Sequence, residues 1–351
     1  MGVSEIGDGP LFPADGTTGQ RLLRRTRNIT LEVLAFVLAT VLFPLLLVVA
    51  AGVDLTLWLR RRKPWVAVRL LAFLWWFLFG EMRALATIPG IWLFSGGPFG
   101  TGSTRRRKWV YEMRARWARS HLGGARVAFS LGFEVEGLEL AEKAPALVMM
   151  RHASIIDNTL PDAVLGHAHG IGLRYVIKRE LQMIPTIDIA GRWVPTVFVR
   201  RGSGDTEAET ATLRSLTENL GASEGLMIYP EGTRFNAKKL ARAKEVIAER
   251  QPAISHLAGQ LEHLLPPRLG GPLALIDAVP ELDVVICGHV GFDGMQHLSD
   301  IWAGKLVGQQ IRVRFQRFAA AEIPVDADDR VAWLYDRWLE LDRWIGEQQT
   351  G

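Results

Sequence analysis

Residues 33–53 form an unbroken run of 21 uncharged residues, mostly Leu, Val, Ala and Phe. As one α-helix this run would measure about 31 Å, the thickness of a bilayer's hydrocarbon core. A chain carrying it must bury that length in protein or place it in lipid. A signal peptide is the competing reading, because Arg21, Arg24, Arg25 and Arg27 precede the run, but the apolar part of a signal peptide spans only about 7–15 residues. A second apolar region, 64–94, follows the basic turn Arg60-Arg61-Arg62-Lys63 and is interrupted by Arg69, Glu81 and Arg83. The composition agrees with contact to lipid: 48% of residues are hydrophobic, 22% are charged, and the mean hydropathy is +0.12. Such values exclude a disordered chain.

Charge is distributed unevenly. Residues 1–126 hold 18 Lys or Arg against 7 Asp or Glu, although the whole chain is only +4. The flanks of the apolar region carry 11 basic residues and the intervening turn four, so the positive-inside rule puts both flanks in the cytoplasm. The expected organisation is a flexible basic N-terminus (1–28), a membrane-embedded helical hairpin (29–100) and a cytosolic α/β domain (101–351). The basic residues beside apolar helices suit anionic phospholipid headgroups. No nucleic-acid-binding motif accompanies them. The single cysteine, Cys287, cannot form an internal disulfide, and no Cys/His grouping suggests a metal site.

Beyond residue 124, short apolar runs alternate with amphipathic stretches. The pattern predicts strands at 126–131, 146–150, 173–177, 196–199, 226–229, 273–278, 283–288 and 311–315, with helices between several of them. The fold class that follows is α/β, a mixed sheet flanked by helices, with the N-terminal membrane hairpin attached. A final helix over 328–347 places Val331, Leu334, Trp338, Leu341 and Ile345 on one face, which makes its tryptophans core residues.

Two short motifs carry polar chemistry. After the strand 146–150 comes Arg151-His152-Ala153-Ser154-Ile155-Ile156-Asp157. Five residues apart on a regular helix, His152 and Asp157 would diverge by about 140°. They can meet if His152 lies in the loop and Asp157 in the first turn that follows. The carboxylate would then orient the imidazole as a general base. Ser154-x-x-Asp157 equally satisfies a helix capping box, which asks no catalysis of Asp157. The second motif follows the strand 226–229 as Pro230-Glu231-Gly232-Thr233-Arg234. A glycine lets backbone N–H groups approach an anion, Arg234 offers a planar fork matching phosphate, and Glu231 could orient that arginine. Two such elements after parallel strands suggest one cleft at the strands' carboxyl ends.

The pairing of His152-x-x-x-x-Asp157 with Glu231-Gly232-Thr233-Arg234 resembles the signature of the glycerolipid acyltransferases that acylate lysophosphatidic acid. The intervening Lys178-Arg179-Glu180-Leu181 and Phe198-Val199-Arg200-Arg201 are similar to that family's intermediate motif. Leu264-Leu265-Pro266-Pro267-Arg268 and the segment 333–338 resemble the lysophosphatidic acid and lysocardiolipin branch. Arg151 departs from the Asn or small residue usual before the histidine. The resemblance implies a membrane acyltransferase that moves an acyl group from acyl-CoA or acyl carrier protein to a lysophospholipid acceptor, 1-acylglycerol-3-phosphate, without metal or bound cofactor. It implies His152 as base, Asp157 as its orienter, Lys178, Arg201 and Arg234 on the acceptor's phosphate, and Glu231, Gly232 and Thr233 shaping that pocket. Only eight of the 41 basic residues are Lys, a bias that fits a GC-rich bacterial gene and hence a bacterial inner membrane. The alternatives are another acceptor such as glycerol 3-phosphate, a catalytically silent lipid-binding protein on the same fold, and a thioesterase.

Overall fold

A computed structural model of the chain describes residues 5–12, 16–154, 156–166, 169–199, 206–293, 295 and 298–350. Three long helices come first, α1 (Thr18–Val41), α2 (Phe43–Arg61) and α3 (Ala67–Phe94), followed by α4 (Thr104–Phe129). Seven strands follow: β1 (Gly132–Glu136), β2 (Ala146–Met150), β3 (Gly172–Lys178), β4 (Thr196–Val199), β5 (Glu224–Ile228), β6 (Asp283–Val290) and β7 (Gln310–Phe318). They form one sheet in the order β1-β7-β6-β2-β5-β3-β4. β6, β2, β5, β3 and β4 run parallel, whereas β7 pairs antiparallel with β6 and parallel with β1. The sheet is therefore mixed, with helices on both faces, as the alternating pattern predicts.

Strand periodicity assigns side chains to the two faces. Leu147 and Met149 of β2 join a core with Leu226, Ile228, Val284 and Ile286, closed by Leu334, Trp338, Leu341 and Ile345. Those last four lie on the C-terminal helix, Ala327–Thr350. Trp338 is fully buried and donates its indole N–H to the Leu265 carbonyl at 2.9 Å, so this tryptophan is core. Val148 and Met150 point the other way, into a core with Leu173, Met227, Cys287 and Ile311 that Phe129 of α4 and Leu160 cover.

Two of the expected strands are helical. Residues 126–129 are the last turn of α4, which buries Tyr111, Ala115, Ala118, His121, Ala125 and Phe129 at three- and four-residue spacing and ends at Ser130 in the left-handed region, φ 57°. The first strand begins later, at Gly132. Residues 273–278 belong to a helix, Gly270–Ala278, with Pro272 in its first turn where a missing N–H costs nothing. A short apolar run has no period that tells a buried helix from a buried strand.

The N-terminal region also departs from expectation. The apolar run 33–53 is divided between α1 and α2 at Leu42, because Pro44 has no N–H and its ring clashes with the carbonyl four residues back. The candidate spans, by length and composition, are α2 and α3. These two pair antiparallel as a hairpin, with Asp54 of α2 accepting from the amides of Val66, Ala67 and Val68 at the start of α3, and with Phe43 edge-on to Trp75. Nor is the basic N-terminus loose where it is described. Ile6 is buried, the Glu5 carbonyl accepts from Ser223 at 2.7 Å, and Arg24 and Arg25 both bind the buried Asp188 carboxylate, at 2.8 and 2.9 Å.

α3 is fixed to the α/β unit along its length. Arg69 near its start donates to Ser130 at 3.0 Å, Trp76 donates to the Ser120 carbonyl at 2.8 Å, and Ile88 and Ile91 pack with Val110, Tyr111 and Met113 of α4. The turn before α3 touches the same unit: the Lys63 ammonium sits 4.6 Å from the Trp302 ring centre. The expectation that this turn lies across a membrane from its flanks is therefore not what the packing shows. Counting charges places segments by sign and ignores the Pro64 and Val66 contacts with Gly304. The outward side of this layer is apolar, with Leu38, Val41, Leu45, Val48, Val49 and Leu59 exposed.

Candidate active site

Four adjacent parallel strands, β6, β2, β5 and β3, end on one edge of the sheet, the usual location of a binding crevice in an open α/β sheet. His152 lies two residues past β2, Glu231 three past β5, Lys178 ends β3, and His289 is near the end of β6. The sheet thereby gathers side chains that are 137 residues apart in the chain.

His152 and Asp157 meet. The histidine Nδ1 lies 3.1 Å from Oδ1 of Asp157 and 3.3 Å from Oδ2. His152 is in the loop and Asp157 opens a short 3-10 turn, Asp157–Thr159, the geometry that lets a five-residue spacing work. The capping interaction exists too. Oδ2 accepts from the amides of Ala153 and Ser154 at 2.7 and 2.8 Å, so one carboxylate both caps the turn and orients the ring. Burial alone would raise the Asp157 pKa, but the hydrogen bond from His152 and then the neighbouring His289 ring outweigh it and hold this carboxyl well below the usual carboxylate range. The Nδ1 contact fixes His152 as the tautomer with hydrogen on Nδ1, leaving the Nε2 lone pair available, and no hydrogen bond reaches Nε2 among the described residues. The ring lies against Tyr229, 4.5 Å between centres.

Glu231 has a different task from the one its motif suggests. It is buried, and its two oxygens accept from the backbone N–H of His152 at 2.6 Å and of Leu265 at 3.0 Å. The carboxylate is thus occupied by the base's own loop instead of orienting Arg234. Phe235 completes the grip, donating its N–H to the His152 carbonyl at 2.8 Å. Burial pushes the Glu231 carboxyl up to about 8, against the pull of the two backbone donors.

Gly232 has φ +64°, and a Cβ there would fall 2.8 Å from Cδ of Arg268; both the turn and the arginine require glycine. Thr233 and Arg234 follow, half-buried, with Lys239 donating to the Thr233 hydroxyl at 3.1 Å and to the Arg234 carbonyl at 2.7 Å. Lys178 is half-buried at the end of β3. Arg201 lies outside the described residues. Arg268, exposed beside Gly232, is a cation that the motif reading did not assign to this edge.

Arg151 is wholly buried and faces away from the cleft. It donates to the His289 carbonyl, to the His263 carbonyl at 3.2 Å and to Asp293 at 2.5 Å. His289 itself escaped the sequence reading, which ended its strand at residue 288. The available signal was a lone ionisable side chain inside the apolar run 284–292. Among the described residues no cluster of three or more His, Cys, Asp or Glu could hold a metal.

Residues 132–253 match the family model named Acyltransferase. The chain is 25% identical over 218 residues to the mouse (Mus musculus) 1-acyl-sn-glycerol-3-phosphate acyltransferase epsilon, covering 58% of each chain. It is 32% identical over 131 residues to the lyso-ornithine lipid O-acyltransferase of Pseudomonas aeruginosa, covering 37% of this chain and 46% of that one. The chain therefore spans about half the length of these relatives. The crystal structure of the 1-acyl-sn-glycerophosphate acyltransferase PlsC from Thermotoga maritima superposes with a TM-score of 0.47 at 14% identity, over 78% of this chain and 96% of that one.

Proposed function

We propose, from the match of residues 132–253 to the Acyltransferase family model, that the chain transfers a fatty acyl group from acyl-CoA or acyl carrier protein to the free hydroxyl of 1-acylglycerol-3-phosphate, giving phosphatidic acid. The observation that carries this reading is the His152 ring, anchored through Nδ1 on Asp157 with Nε2 left for a substrate proton. The hydroxyl oxygen attacks the thioester carbonyl while its proton passes to Nε2. Asp157 stabilises the imidazolium that forms. The C–S bond then breaks and the departing thiolate takes the proton from Nε2, which returns the base. His152 moves every proton the reaction needs, so the reading calls for no metal or bound cofactor. Lys178, Arg201 and Arg234 bind the acceptor's phosphate, with Gly232 and Thr233 forming the turn beneath it. Apolar α2 and α3 and the basic flanks support attachment to an anionic membrane, and in this reading that membrane is the bacterial inner membrane with the α/β unit on its cytoplasmic side.

A phosphate monoester carries nearly two charges near neutral pH where a diester headgroup carries one. The three cations that the motifs assign to one pocket, Lys178, Arg201 and Arg234, therefore favour lysophosphatidic acid over lysophosphatidylcholine or lysophosphatidylglycerol. The test supplies one acyl-CoA and each lysolipid separately to membranes containing the protein and identifies the product by mass spectrometry. Membranes with His152→Ala serve as the blank, and their turnover should be at least about 100-fold lower. Preference for a diester acceptor would overturn the acceptor assignment, thiol release without any lysolipid would indicate a thioesterase, and no thiol release with any acceptor would indicate a silent lipid-binding protein.

A further inference from the structure

We propose that His289 is a positioning residue that shares the Asp157 carboxylate with His152 and thereby sets the pH at which His152 becomes a free base. The proposal rests on the acyl-transfer reading for its consequence, though not for its geometry. His289 is wholly buried. Its Nε2 lies 3.2 Å from the Arg151 carbonyl and 3.6 Å from Oδ2 of Asp157. Both neighbours are acceptors, so Nε2 carries hydrogen: the hydrogen bond goes to the carbonyl, and the same N–H turns its positive end toward the carboxylate. The other ring nitrogen, Nδ1, is buried without a hydrogen-bond partner. Among the described residues the ring therefore meets its polar neighbours through Nε2 alone.

The ring is held from behind. Arg151 donates to the His289 carbonyl and to Asp293, and Asp293 accepts from the Gly291 amide at 3.2 Å. Phe292 meets the ring edge-on, with 5.7 Å between centres. The ionisable groups around the His289–Asp157 contact are therefore His152, the Arg151–Asp293 pair, Glu231 beneath the His152 loop, and the neutral Tyr229 and Cys287. Burial keeps the tyrosine hydroxyl and the thiol protonated, with Asp157 adding to that effect. This arrangement divides the Asp157 carboxylate. Oδ2 faces Ala153 N–H, Ser154 N–H and His289, while Oδ1 is closest to His152. Each donor on Oδ2 draws off negative charge that would otherwise hold a proton on His152.

Replacing the ring with a group of similar size that cannot donate should return that charge to His152. In His289→Phe the backbone amides still hold Asp157 in place, so His152 keeps its proton to higher pH. Histidine-selective ¹⁵N NMR of the full-length protein in detergent should show the His152 titration raised by about half a unit or more, equivalent to about a threefold loss of free base on the acid side. The acid limb of kcat against pH should move up by the same amount. His289→Gln, whose amide nitrogen reaches the Nε2 position, should restore both toward wild type, whereas the shorter His289→Asn should not.

Unchanged His152 titration in His289→Phe overturns the proposal. So does a His289→Gln variant as shifted as His289→Asn, since a merely structural loss would not distinguish the two amides. If His289→Phe does not fold, the Gln and Asn pair alone decides. The NMR titration needs no substrate. A shift in it without acyl transfer by the wild type would refute the proposed reaction and leave the positioning role standing.

Discussion

At Glu231 a buried carboxyl group holds the backbone of the His152 loop, and this has a measurable consequence. Its pKa is raised by burial to about 8 from the usual 4.5, so the folded chain retains a proton that the unfolded chain releases above about pH 4.5. The stability gained is complete below that value and is lost as pH rises through about 8. The Tm of the wild type should therefore fall between about pH 6 and pH 9, while that of Glu231→Gln should be lower at pH 6 and flatter, because an amide does not ionise and presents an N–H to a backbone donor. Circular-dichroism melts across that range check this, and equal slopes would assign the pH dependence to another group. His152 and Asp157 were legible in the sequence because their partnership is local, five residues long. The identity of Glu231 was legible through its motif, but its role was not, because the backbone donors it accepts from lie 79 and 34 residues away. Neither was His289, whose partners are joined to it only by the pairing of β6 with β2.

At the scale of elements, Asp54 has the most disproportionate effect for one residue. It stands at the end of the apolar run, buried, and supplies the start of α3 with a cap from a neighbouring helix, three acceptor contacts of 2.9–3.0 Å. Asp54→Ala should cost about 2 kcal/mol, as for loss of a strong N-cap, and should speed hydrogen exchange at Val66, Ala67 and Val68 while leaving the His152 geometry intact. Unaltered exchange at those three amides would mean the cap is redundant. β2 through β7 were readable from apolar runs bounded by turn residues, apart from boundary shifts of a few residues. The failures at 126–131 and 273–278 share a cause. Each is a short apolar stretch at or inside a helix end, where six residues sample too little of the 3.6-residue period to identify it.

At the scale of the whole molecule, the attachment of α3 to α4 constrains how the protein meets a bilayer. A helix held at both ends and in its middle by one α/β unit cannot cross a bilayer that the unit itself does not enter. The proposed attachment is thus an apolar layer of α1, α2 and α3 in a single leaflet. In sealed vesicles, Arg62→Cys in the turn between α2 and α3 and Glu249→Cys on the α/β unit should react with an impermeant maleimide from the same side, the native Cys287 being buried. Labelling from opposite sides would establish a hairpin that crosses.

The strand order also has a temporal side. β2, which leads into His152 and Asp157, lies between β5 and β6, and both neighbours are synthesised after it. While the chain emerges from the ribosome, His152 and Asp157 exist long before Glu231, whose carboxylate clamps their loop, and longer still before His289. The His152 site is therefore completed late, because closing it requires contacts 79 and 138 residues apart in the chain. A nascent chain that has not yet delivered β6 carries the motif but not the site.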